Sequence, residues 1–134
     1  LIDLNHFKQV NDNLGHDVGD HLLVEVANRL NQTCGAKEIV GRLGGDEFLI
    51  FMPDVAGHEK AMARATAYLS GFARPAEIAG HVLTPSASVG VAVQTLDGNG
   101  TEQLLKAADS ALYKMKRKGK GVSRPAKPIL RNIA

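Results

Sequence analysis

Gly44-Gly45-Asp46-Glu47-Phe48 sets two carboxylates side by side next to a glycine pair that can fold the chain back on itself. Like charges at such a turn repel each other unless a cation or a substrate proton lies between them. On average residue usage, with Gly at about 7%, the run arises by chance on the order of once in ten thousand chains of this length. Alone, a Gly-Gly-Asp turn is commonly a solvated hairpin tip. A second polar group changes that reading. Asp3 is an acid in the otherwise apolar stretch Leu1-Ile2-Asp3-Leu4. A lone strand-end Asp would serve as a cap or turn residue. If this strand runs beside the hairpin, however, Asp3 and Asp46 face one another across neighbouring strands. Two converging carboxylates suit a hard divalent cation, Mg²⁺ (or Mn²⁺), shared with phosphate oxygens.

Phosphate has a candidate place as well. A helix starting near His6 offers backbone N–H groups and the positive end of its dipole, and Lys8 adds a cation nearby. Asn11 and Asp20 flank the Gly15-His16 turn. Guanine presents N1–H and N2–H₂ donors, so a carboxylate reads guanine and would meet an acceptor on adenine. The plain alternatives are a solvated Lys8, a turn residue at Asn11 and a first-turn helix acid at Asp20.

The elements that position these residues follow from periodicity and punctuation. Residues 1–4 read as the end of a buried strand, so that the domain is expected to begin upstream. Asn5 is expected to cap a helix with Phe7, Val10 and Leu14 on one face, ended by Gly15. A second helix carries Leu23, Val26, Ala27 and Leu30 at core spacing. Residues 39–43 and 47–52 form a hairpin about Gly44-Gly45. A third helix from 57 to about 73 runs through Ala61, Ala65, Leu69 and Phe72. Ser86 to Gln94 alternates as a strand, with Val89, Val91 and Val93 on one side. Thr101 can cap a last helix whose core face is Leu104, Ala108, Ala111 and Met115. This order predicts an α/β (α+β) sandwich, a mostly antiparallel central sheet flanked by helices.

With 134 residues and 44% hydrophobic content, the chain supports one globular core. It has no apolar run of membrane-spanning length and no signal-peptide layout at its start, so a soluble, cytoplasmic domain is expected. Cys34 is the single cysteine and reads as a buried, inert thiol. The net charge of +2 hides an asymmetry: residues 114–134 hold eight basic residues and no acid, against 14 acids and 8 basic residues before them. That tail has no aromatic residue for base stacking beyond Tyr113, so 122–134 reads as a solvated linker rather than a nucleic-acid patch.

Over residues 1–121 the chain resembles the GGDEF family of diguanylate cyclases. The resemblance is carried by Asp3-Leu4-Asn5-His6-Phe7-Lys8, Asn11-Asp12, Gly15-His16, Gly19-Asp20, Gly44 to Phe48, Ser88-Val89-Gly90 and Ala108-Asp109-Ser110-Ala111-Leu112-Tyr113. It implies a palm-like nucleotidyl cyclase fold and an enzyme that condenses two GTP into cyclic di-GMP with release of pyrophosphate. Under the resemblance Asp3, Asp46 and the Leu4 carbonyl bind metal, and Glu47 helps activate the attacking 3′-hydroxyl, either as base or through the metal. Asn11 and Asp20 read guanine, while Phe7, Lys8, Lys116 and Lys120 hold phosphate.

The resemblance also implies a homodimer, since each domain carries one GTP, and an attached sensory, receiver or phosphodiesterase domain. If that longer protein is membrane-anchored, this domain forms part of its cytoplasmic portion. The chain departs from the family pattern in places. Asn5 stands where an Asp is common, and Lys120 replaces an Arg and its bidentate fork. The upstream Leu-Thr-Gly-Leu and Asn-Arg signature is missing. Gly35 and Glu38 occupy the inhibitory Arg-x-x-Asp positions, so no inhibitory site is expected and the segment reads as a solvated connection. The alternatives are a catalytically weak GTP-binding module that regulates an attached domain, another palm-type cyclase or polymerase, and a fold-only interaction protein.

Overall fold

A computed structural model describes residues 1–71, 74–118 and, by backbone, 121–123. The elements are β1 (Ile2–Leu4), α1 (Phe7–Leu14), α2 (His16–Thr33), β2 (Ile39–Gly44), β3 (Glu47–Phe51), α3 (His58–Ser70), β4 (Ala76–Ile78), β5 (His81–Leu83), β6 (Ala87–Gly90), α4 (Thr101–Lys118) and β7 (Gly121–Ser123). Five strands form one sheet in the order β2-β3-β1-β6-β7, antiparallel except for the β6–β7 pair. The expected mixed α/β architecture with a mostly antiparallel central sheet is the one observed.

Strand β1 lies at the centre because all three of its residues are buried, Asp3 among them. Ile2 and Leu4 pack with Val26 and Leu30 of α2, Phe48 of β3 and Val89 of β6 in one apolar core. Helix α4 rides close on β6. A Cβ built on Gly90 would lie 2.0 Å from the Ala108 carbonyl oxygen and 2.6 Å from the Leu112 amide nitrogen. The Ser88-Val89-Gly90 motif therefore ends in the residue that lets a helix backbone touch a strand. On α4 the buried positions are Ala108, Ala111 and Leu112, with Leu104 and Met115 half-buried.

Several expectations are corrected. Asn5 does not cap α1: its amide donates to Ser86 Oγ at 3.2 Å and accepts from Ser88 Oγ at 2.9 Å, tying the end of β1 to β6. The cap position belongs to His6, in the left-handed region at φ 61°, and no side chain caps the helix. The strand expected over 86–94 stops at Gly90. Beyond it the chain turns, with the Leu96 and Asp97 amides donating to the Val93 carbonyl and the Asp97 carboxylate accepting from Val93 N–H at 2.7 Å. A short hairpin, β4–β5, and the edge strand β7 were not anticipated, and the boundary expected at 121 falls within β7. Cys34 is half-buried at the end of α2, its thiol 3.2 Å from the Glu38 carbonyl. Phe72, Lys120 and residues 124–134 lie outside the described residues. No helix among the described residues is long and apolar enough to cross a membrane.

Candidate active site

The tip of the β2–β3 hairpin is built by glycine. Gly44 and Gly45 have φ of 144° and 51°, in the region that favours residues without a Cβ, and a register shift between Arg42 and Gly44 lets the turn close. The Arg42 guanidinium fastens it, donating from Nε and Nη2 to the Gly45 carbonyl at 3.0 and 2.8 Å. Antiparallel pairing then sets Ile2 opposite Phe48 and Asp3 opposite Glu47. The residue across from Asp3 is thus Glu47. Asp46 sits one place earlier, at the turn, where its carbonyl accepts from Leu4 N–H at 3.1 Å.

Asp3 is a buried carboxylate, 3% exposed, set between Glu47 and Ser88 of the neighbouring strands. Burial pushes its pKa up; the Lys116 ammonium opposes this, and the nearby Asp46 charge adds to it. Lys116 reaches Asp3 from the last turn of α4, with Nζ 2.7 Å from Oδ2. An open cavity of about 780 Å³ lies over this pair, walled by residues 3–9 together with Asp46, Ser86 and Lys116. Phe7 and Lys8 belong to that wall, at the uncapped start of α1.

The structure therefore brings Asp3, Leu4, Phe7, Lys8, Asp46 and Lys116 around one cavity, with Glu47 beside Asp3 on the neighbouring strand. Asn11 and Asp20 line no part of it. Asn11 lies on α1 and Asp20 on α2, and Gly19, next to Asp20, lies so close to Asn11 that a Cβ there would fall 1.8 Å from Asn11 Oδ1. Ser86 and Gln9 also line the cavity and had not been singled out; a serine before a strand and a glutamine in a first turn give no signal of their own. A second cavity, of about 630 Å³, lies between α3, α4 and the sheet, and no charged side chain lines it.

The donor set fits a hard cation. Asp3, Leu4 and Asp46 border the same cavity, and carboxylate and carbonyl oxygens are the hard donors such an ion takes. No group of three or more His, Cys, Asp or Glu placed to hold a metal ion is found among the described residues. Mg²⁺ needs only one or two protein carboxylates and takes its remaining oxygens from water and phosphate.

The segment before β2 is a brace, not a solvated connection. The Glu38 carboxylate accepts from Arg64 Nε at 2.6 Å, from Arg64 Nη2 at 2.7 Å, from Gly35 N–H at 2.8 Å and from the Tyr68 hydroxyl. The Arg64 hydrogen bonds, helped by Tyr68 and Gly35, bring Glu38 down to about 2. Burial and the Glu38 contact push Tyr68 up.

The fold and these residues define an α/β domain with acids gathered at one end of its central antiparallel strands. Residues 1–122 match the family described as diguanylate cyclase, GGDEF domain, and the chain belongs to that family. It is 40% identical over 121 residues to the signaling protein YkoW of Bacillus subtilis, covering 90% of this chain and 15% of that protein. It is 36% identical over 122 residues to the response regulator PleD of Caulobacter vibrioides, covering 90% of this chain and 27% of that one. The chain thus spans under a third of the length of either relative. Its fold matches the isolated GGDEF domain of TpbB (YfiN) from Pseudomonas aeruginosa with a TM-score of 0.86 at 33% identity, covering 92% of this chain and 72% of that one.

Proposed function

We propose that this chain is the catalytic domain of a diguanylate cyclase, condensing two GTP into cyclic di-GMP and pyrophosphate. The observation that carries the reading is the meeting of Asp3, Asp46 and Lys116 around one open cavity at the uncapped start of α1. Asp3, Asp46 and the Leu4 carbonyl would hold Mg²⁺ (or Mn²⁺), which supplies Lewis-acid activation of a hydroxyl and charge neutralisation at the triphosphate. Lys8, Lys116 and the first-turn amides of α1, near Phe7, bind the triphosphate; Lys120 joins them under the family resemblance. Asn11 and Asp20 hold the guanine edge away from the phosphates.

Glu47 takes the proton of the attacking 3′-hydroxyl. The new bond joins that oxygen to the α-phosphorus of the second GTP as the bond to its pyrophosphate oxygen breaks; the same attack by the second 3′-hydroxyl on the first α-phosphorus closes the ring and releases a second pyrophosphate. One chain carries one GTP, so the two reactants are aligned only when two copies face each other. Most of the rate gain then comes from holding hydroxyl and phosphorus in line. The domain would work within a longer cytoplasmic or cytoplasm-facing protein whose sensory, receiver or phosphodiesterase part sets how often two copies meet. Residues 1–123, through β7, form the cyclase domain in this reading and 124–134 a basic linker.

A GTP-binding module without turnover is the second reading, and the retention of Asp3, Asp46, Glu47 and Lys116 together disfavours it. Initial rate against protein concentration tests the dimer requirement. A rate per chain that rises with concentration supports it, and a rate per chain independent of concentration at all dilutions contradicts it.

A further inference from the structure

The Asp3–Lys116 contact does more than neutralise a buried acid. Lys116 Nζ lies 2.7 Å from Asp3 Oδ2, and the two side chains are 44% and 5% exposed. The carboxylate is fixed in a central strand. The ammonium hangs on a four-carbon stem from the last turn of a helix, with water on its open side. The ammonium takes one of the lone-pair sites of Asp3 Oδ2, and while the pair holds its positive charge repels any other cation that approaches the same carboxylate. Leaving Asp3 without a counter-charge would be costly, which is why the pair forms when nothing else is present. Both groups border the cavity that also contains Lys8 and Asp46.

We propose that Lys116 is a stand-in cation whose charge opposes a divalent metal at Asp3 until it swings away, and that its release delivers the ammonium to the incoming phosphate. This rests on the reading of Asp3 as a metal ligand. Lys116 then moves between two anions, Asp3 in the empty site and the nucleotide in the filled one. Metal and nucleotide each draw it the same way, so each tightens the other reciprocally. A nearly empty site resists metal alone and accepts metal with nucleotide. The consequence has opposite signs for the two ligands: removing the ammonium strengthens metal and weakens nucleotide. A lysine that only binds phosphate would leave metal affinity unchanged, and a purely structural lysine would weaken both.

The test is a Mn²⁺ titration of the 134-residue chain without nucleotide, read by the electron paramagnetic resonance signal of free Mn²⁺. Lys116→Met should bind Mn²⁺ about tenfold more tightly than the unaltered chain, within the usual range for coupled sites, and Lys116→Arg should stay near the unaltered value. A non-hydrolysable GTP analogue should bind Lys116→Met more weakly. Equal Mn²⁺ affinity in Lys116→Met and the unaltered chain overturns the exchange. Equal Mn²⁺ affinity in Asp3→Asn and the unaltered chain overturns the metal reading beneath it. A measurement on the unaltered chain does not depend on a variant folding: acetic anhydride labelling of Lys116, followed by mass spectrometry, should be slow in the empty protein and quicken on adding Mn²⁺. Labelling indifferent to Mn²⁺ overturns the exchange as well.

Discussion

Replacing Gly19 by Ala should damage guanine recognition without unfolding the domain. Gly19 is buried on α2, and an added Cβ would sit 1.8 Å from Asn11 Oδ1 and 2.9 Å from Asn11 Cγ. Ordinary contact begins near 3.4 Å, so the Asn11 amide must retreat by about 1.6 Å, or swing away altogether. The atom in the way is the far end of a flexible side chain, so the backbone can stay in place. An Ala inside a helix gains about 1 kcal/mol over Gly, which offsets much of the strain, and the thermal midpoint should move by only a few degrees. If Asn11 reads guanine, a displacement above 1 Å removes a base contact worth about 1–3 kcal/mol, or roughly ten- to a hundredfold in affinity. The assay is binding of non-hydrolysable GTP and ATP analogues to the unaltered chain, Gly19→Ala and Asp20→Ala. Both variants should lose GTP over ATP selectivity, Asp20→Ala without any change in packing. Gly19→Ala that keeps full selectivity for GTP would refute the assignment of Asn11.

Gly90→Ala should behave in the opposite way. Its Cβ meets helix backbone at 2.0 Å, so α4 has to lift off the sheet, with an expected loss of about 1–3 kcal/mol seen as a lower urea midpoint. The Glu38 brace predicts an acid dependence. Its folded pKa of about 2 lies below the ordinary 4.5, so its contribution is complete above 4.5 and lost as pH falls from there towards 2. At about 1.4 kcal/mol per unit the full loss is about 3 kcal/mol. Arg64→Met should flatten that part of the stability curve, and a variant with the unaltered slope would contradict the assignment. Because Glu38 already holds Arg64, the segment at Gly35 and Glu38 offers no free guanidinium to an anion. Calorimetric titration with cyclic di-GMP should show no sub-micromolar binding. Tight binding that survives Asp46→Asn but is lost in Arg64→Met would reveal an inhibitory site.

The helices and the Gly44-Gly45 hairpin were legible because apolar spacing and glycine punctuation are local signals. The β4–β5 hairpin was not, because its turn uses Ala79 at φ 49° before Gly80 at φ 82°, and an alanine gives no hint of positive φ. Strand β7 has three residues and exists by pairing with β6, a partner more than thirty positions away. Asn5 has the chemistry of a cap, and nothing nearby in sequence says that its amide is taken by Ser86 and Ser88. For the site, the paired acids and the neighbourhood of Asp3 were readable from residue type and spacing. The ion pair between Asp3 and Lys116 and the brace between Glu38 and Arg64 were not, since each joins residues brought together only by the finished fold. The one-place offset that puts Glu47, and not Asp46, opposite Asp3 is a matter of strand register, which a turn with a register shift hides from sequence.

The most direct measurement is product identification. The chain at high concentration is incubated with GTP and Mg²⁺, and the nucleotides formed are identified by mass, alongside Asp46→Asn. The unaltered chain should release pyrophosphate and accumulate the linear dinucleotide and then cyclic di-GMP, while Asp46→Asn, folded to the same thermal midpoint, should form neither. GTP that binds and is recovered intact from the unaltered chain, or cyclic di-GMP made equally well by Asp46→Asn, would contradict the account.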